Sequence, residues 1–235
     1  MNRGIFPTDG TLNQVSLQTT VPGSTLNYFR LDYKNEFYQP ISDELIFKVA
    51  SRIGYVDSFG DSEVPPYFEY FYAGGPYSIK GYETNSLGPR ITPVPCYSYV
   101  SAEDYCPPLI DNNFDGEPDA PAYNPYMFSN RDQPIGGNVK VEGSFQLIFK
   151  LPMIEDQRSM RSAFFFDFGN VFSTNCKDYQ INCYEPDLEE LRYSYGVGVT
   201  WITGFGPMSL AIAKPTNAGP QELSLIHISE PTRPY

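Results

Sequence analysis

The sequence predicts an all-β fold, a fragment of an antiparallel transmembrane β-barrel with about seven or eight strands. Three observations carry the prediction. Apolar and polar residues alternate with period two over several long segments. The connections between those segments alternate between short and long. Tyr and Phe number 19 and 17 against one Trp, and the 19 Gly and 22 Pro fall mostly between apolar stretches. That composition favours strands and turns over helices.

Taken in order, residues 11–21 place Val15, Leu17 and Val21 on one face. In 27–39, Phe29, Leu31, Tyr33 and Phe37 oppose Arg30, Asp32, Lys34 and Glu36. In 45–56, Leu45, Phe47, Val49, Ile53 and Tyr55 oppose Lys48, Ala50, Arg52 and Gly54. A further strand is expected around 67–74. In 139–151, Val139, Val141, Phe145, Leu147, Phe149 and Leu151 oppose Lys140, Glu142, Ser144, Gln146 and Lys150. Residues 161–172 set Phe164, Phe166, Phe168 and Phe172 against Arg161, Ala163, Asp167 and Gly169. Residues 191–202 set Leu191, Tyr193, Tyr195, Val197, Val199 and Trp201 against Arg192, Ser194, Gly196, Gly198 and Thr200. Residues 207–214 alternate Met208, Leu210 and Ile212 with Ser209, Ala211 and Ala213.

The clearest segments run to about 11–13 residues, against a usual mode of about 5–6 in globular proteins. A tilted membrane strand needs about 9–11. The polar face carries both signs of charge and small residues, which suits a wet lumen. The competing reading is a soluble sheet with one solvated face; strand length and aromatic content count against it. No run of about 18 apolar residues offers a transmembrane helix, and barrel strands would escape such a search.

Short connections at 21–24, 39–42 and 203–206 alternate with long polar ones at 57–66, 75–138 and 173–190. Outer-membrane barrels pair short periplasmic turns with long extracellular loops in this way. Met1-Asn2-Arg3-Gly4 runs straight into a turn-like cluster without a signal peptide, so a missing start is expected. Residues 223–235 resemble a translated sequencing adapter. They are set aside as a non-native tail, leaving 1–222 as the barrel portion.

A net charge of −12 without a long basic patch argues against nucleic acid. His227, the only histidine, lies in the tail. No P-loop, nucleophile elbow or complete dinucleotide fingerprint occurs. Paired acids such as Glu189-Glu190 lie in a polar loop. No enzyme active site is expected.

Four cysteines fall in two close pairs, Cys96 with Cys106 and Cys176 with Cys183. Three connectivities are permitted, and two local bridges are the simplest. Surface loops in an oxidising compartment would suit them. No cofactor is expected, with one candidate exception. Asp111, Asn113, Asp115 and Asp119 supply oxygen donors at positions 1, 3, 5 and 9 of a calcium-type loop, with Gly116 at the sharp turn. Ala122 stands where position 12 needs an acid, so an acidic solvated turn is the competing reading.

A family resemblance becomes specific within the longest connection. Phe71-Tyr72-Ala73-Gly74-Gly75 precedes Ser78-Ile79-Lys80-Gly81-Tyr82 and Asn85-Ser86-Leu87-Gly88-Pro89-Arg90. This resembles the inward-folding surface loop of the BamA family of outer-membrane insertases, whose hallmark is a Val-Arg-Gly-Phe tetrad. Here Ile79, Lys80, Gly81 and Tyr82 occupy it. Arg3–Gly10, Gly136-Gly137-Asn138 and Phe165–Val171 match as well, so the likeness spans about residues 3–217 in order. The Cys96/Cys106 spacing also resembles a surface disulfide of that family.

The resemblance implies a sixteen-stranded barrel of which this is the C-terminal half without its final strand. It further implies localisation in the bacterial outer membrane, lipid around the barrel, unfolded outer-membrane proteins as clients, and periplasmic assembly lipoproteins as partners. The implied activity is insertion of β-barrel proteins. The alternatives are a related secretion or translocation barrel (TamA-like or a two-partner transporter) and a passive porin-like barrel. In the family the tetrad arginine reaches acids on the inner wall; the matching positions here are Asp167 and Gln146. Lysine offers a point charge in place of a planar fork. A Lys80–Asp167 pair pinning the loop in the lumen is therefore expected, against the alternative of two solvated lumen charges.

Overall fold

The computed structural model describes residues 1, 6–21, 23–91, 133–151, 159–176, 183–204, 206–218 and 226–229. The strands are β1 (Gly10–Thr19), β2 (Tyr28–Pro40), β3 (Leu45–Ser58), β4 (Val139–Phe149), β5 (Met160–Phe172), β6 (Arg192–Thr203), β7 (Gly206–Thr216) and β8 (Ile226–Ser229). They form one sheet in sequential order, each strand antiparallel to the next. The alternating segments become long strands, 13 residues in β2 and 14 in β3. Among the described residues no helix is long and apolar enough to cross a membrane, which says nothing of strands.

Short turns close between β2 and β3, where the Ile41 and Ser42 amides donate to the Leu45 carbonyl at 2.9 and 3.1 Å. Between β6 and β7 the Thr203 hydroxyl donates to the Gly206 carbonyl at 2.8 Å. Those turns set a continuous register. One row runs Glu36, Ala50, Ser144, Asp167, Ser194, Pro215; the next runs Phe37, Val49, Phe145, Phe166, Tyr195, Lys214. Successive side chains point to opposite faces of a sheet, so these rows lie on opposite sides.

The first face is covered by residues 67–91 and buries polar groups, among them Glu142, Asp167 and Ser194. The second face exposes Val15, Leu17, Phe145, Phe164 and Ile212. Its rings stack across strands, Phe47 on Phe145 at 6.4 Å, Phe145 on Phe168 at 5.8 Å and Phe149 on Phe164 at 4.9 Å. A Cβ at Gly143 would meet the Phe168 ring at 2.1 Å, so that ring lies over the bare backbone of its paired strand.

One expectation needs correction. Residues 67–74 are no strand: Tyr67–Glu69 form a single 3-10 turn, and Phe71 and Ala73 make only isolated bridges, to Gly137 and Leu87. Pro65 and Pro66 lack the amide hydrogen a ladder needs, and they steer the chain onto the covered face. The segment set aside after residue 222 contributes β8, paired with β7 over Ser209–Ile212. An unpaired strand edge accepts any segment of suitable pattern, and Ile226-His227-Ile228-Ser229 alternates.

Candidate functional site

Residues 71–91 build the site from its backbone upward. The Phe71 amide donates to Gly137 at 2.8 Å and the Gly137 amide returns the bond at 3.1 Å, tying the segment to the start of β4. The Leu87 amide donates to Ala73 at 3.2 Å, closing a loop whose tip is Gly74–Ser86. Gly74 and Gly81 have φ of +100° and +89°, where a side chain would be strained. A Cβ on Gly81 would also press on Ala213 at 3.1 Å.

The segment brings its own apolar core. Phe71, Ala73, Ile79, Tyr82 and Leu87 cluster with Val56 of β3 and Val171 of β5. The wall makes room with glycine. A Cβ at Gly54 would enter the Phe71 ring at 2.5 Å, and one at Gly169 would strike the Val141 carbonyl at 2.2 Å and Ile79 at 3.1 Å.

Polar anchors then fix the orientation. Lys80 Nζ lies 3.0 Å from Asp167 Oδ2. The Lys80 amide donates to the same oxygen at 3.3 Å. Ser144 Oγ donates to Asp167 Oδ1 at 2.6 Å. Asp167 has no solvent exposure, while the Lys80 side chain keeps 20%. A buried carboxylate needs such saturation, because an unpaired charge there would cost several kcal/mol. The Lys80 ammonium also sits 4.5 Å from the centre of the Phe165 ring.

Glu142, two inward positions before Gln146, forms a second anchor. It accepts the Ser78 hydroxyl and pairs with Lys140 at 3.1 Å and Arg52 at 3.9 Å. Ser78 Oγ in turn accepts the Gly74 amide at 2.9 Å, and Arg52 donates to the Tyr77 carbonyl at 2.8 Å. At the far side the Tyr82 hydroxyl sits between the carbonyls of Thr216 and Tyr193, at 2.7 and 2.9 Å. At the entry, Arg30 donates to the Glu69 carboxylate at 3.1 Å and lies 4.2 Å above the Phe71 ring. Burial pushes the Tyr70 phenol up, with the Asp57 carboxylate adding to it.

The structure thus brings together Ile79, Lys80, Gly81, Tyr82 and Asp167. Gln146 makes no hydrogen bond to Lys80. Its amide donates to Ser144 Oγ at 3.0 Å, one link away from Asp167. Register explains this, since Asp167 faces Ser144 across the strand pair while Gln146 faces Phe165. Sequence reasoning did not single out Ser78, Glu142, Ser144, Phe165 or Gly169 as contacts of the segment. Period-two parity puts the four wall residues on the covered face, and that was the available signal. Cys176 and Cys183 form a disulfide. Cys96, Cys106 and the candidate calcium ligands Asp111, Asn113, Asp115 and Asp119 lie outside the described residues. Among the described residues no cluster of His, Cys, Asp and Glu could hold a metal.

The Omp85 superfamily domain matches residues 1–224. The outer membrane protein assembly factor BamA of Neisseria meningitidis serogroup B is 27% identical over 234 residues, covering 93% of this chain and 25% of that protein. The mouse sorting and assembly machinery component 50 homolog is 23% identical over 208 residues, covering 86% of this chain and 36% of the relative. The crystal structure of BamA from Haemophilus ducreyi lacking POTRA domains 1–3 superposes with a TM-score of 0.72 at 26% identity, over 96% of this chain and 38% of that one. The chain spans about a quarter to a third of the curated relatives it matches.

Proposed function

The chain belongs to the Omp85 superfamily, and from that premise we propose that it forms part of the barrel of an outer-membrane protein insertase. Its clients would be unfolded β-barrel proteins, and its medium the lipid of the outer membrane. Periplasmic assembly lipoproteins would complete the machine. The role is non-enzymatic: it promotes insertion by membrane thinning and strand templating where the complete barrel closes.

The observation that carries this reading is the segment anchored against the covered face. A wall that binds Lys80, Ser78 and Tyr82 through buried groups is stiffened from within. The opposite face carries an apolar, aromatic band suited to lipid. A stiff wall with an apolar outer band can impose its own height on the surrounding bilayer, since mismatch costs fractions of a kcal/mol per ångström. Thinned lipid lowers the barrier for a client strand to enter.

The test is conditional depletion of the full-length protein in its own cells, with re-expression of the wild-type gene. Folded outer-membrane β-barrel proteins, scored by heat-dependent gel mobility, should fall together on depletion and return on re-expression. Loss of one exported passenger with the barrel proteins unchanged would overturn the insertase reading in favour of a translocation barrel. Loss of solute flux alone would favour a porin-like one.

A further inference from the structure

The outward face of β1–β7 is nearly free of charge. Following the strand registers, Lys214 is its one basic side chain and Asp57 its one acid among the described residues. Asp57 accepts the Tyr55 hydroxyl. Lys214 is exposed and makes no ion pair among the described residues. It ends the row Phe145, Phe166, Tyr195 and stands at one end of a groove of about 540 Å³. Phe164, Tyr195, Val197 and Ile212 wall the groove, and strand backbone floors it.

Depth decides what the cation meets. β7 rises from the short turn at Gly206, and Lys214 lies eight residues along it. That is roughly 27 Å of strand at about 3.4 Å per residue. At a tilt of about 45° it becomes roughly 19 Å of height, near the far rim of an apolar band about 25 Å tall. The side chain can extend further toward the headgroups. An apolar groove with one cation at its rim fits an acyl chain below an anionic phosphate.

We propose that this groove binds an anionic, phosphate-bearing lipid of the leaflet on the long-loop side, its acyl chain along Val197 and Ile212 and its phosphate on Lys214. The inference rests on reading the chain as membrane-spanning. It is tested on the full-length protein in nanodiscs holding equal phosphatidylglycerol and phosphatidylcholine, with retained lipid counted by native mass spectrometry. The wild type should retain phosphatidylglycerol about fivefold over phosphatidylcholine, the factor expected for one lysine at an anionic surface. Lys214→Gln should abolish the preference, Lys214→Arg should keep it, and Ile212→Ser should lower retention of both lipids. Equal retention by the wild type, or a preference unchanged in Lys214→Gln, would overturn the proposal. Displacement of the lipid by inorganic phosphate alone would also overturn it, because the groove would then contribute nothing. Heat-dependent gel mobility of each variant reports barrel integrity separately. Failure of the wild type to insert would remove the membrane premise itself.

Discussion

On the covered side of β4 and β5, Glu142, Ser144 and Asp167 are buried and bonded to the segment from Gly74 to Tyr82. On the other side of the same strands, Phe145, Phe164 and Phe166 are 42%, 54% and 40% exposed and stack on neighbouring rings. The residues of the two sets alternate along one chain. The difference teaches where a polar group can be placed in such a wall. Inside, a second segment supplies partners to Lys140, Glu142 and Asp167. Outside, lipid supplies none, so the strands present rings and branched side chains.

The largest break in this comparison is expected from Asp167→Ala. It leaves the Lys80 ammonium and the Ser144 hydroxyl without their shared acceptor, at a cost of about 3 kcal/mol, the low end for a one-sided break because Lys80 keeps some solvent. Limited proteolysis of the full-length protein in detergent should show faster cleavage within 74–86, and unchanged cleavage would refute the anchoring. Phe145→Arg tests the other face. It should destabilise the barrel by about 2 kcal/mol in lipid vesicles. An unaltered unfolding midpoint in urea would mean that face meets water. The smallest change is Glu142→Gln, which keeps an acceptor for Ser78 but removes the charge facing Lys140 and Arg52. A loss of about 1 kcal/mol is expected. In a double-mutant cycle with Lys140→Met the coupling should exceed that with Lys80→Met. The reverse order would merge the two anchors into one network.

Much of this architecture is local and was therefore legible. Period two in 139–151 fixes which residues of β4 share a face, whatever the strand pairs with. The one place where reading failed is equally instructive. Residues 67–74 carry strand-forming aromatics, yet Pro65 and Pro66 and the pull of the apolar cluster around Val56 take them out of the sheet. Ile226–Ser229 paired because the β7 edge offered free backbone groups, a property of the sheet and not of those four residues.

By itself, then, the sequence determined strands β1 to β7, the two faces, the placement of Asp167 and Gln146 on the same side, and the loop tetrad that meets the wall. Only the tertiary structure decided the pairings. Asp167 reaches Lys80 and Ser144, Gln146 stops at Ser144, Ser78 finds Glu142, and Tyr82 crosses to the Tyr193 and Thr216 carbonyls. The reason is physical. Alternation is set by the geometry of one strand over a few residues. A hydrogen bond needs two atoms about 3 Å apart, and residues as distant in sequence as 82 and 216 reach that spacing only through inter-strand register and the path of the covering segment.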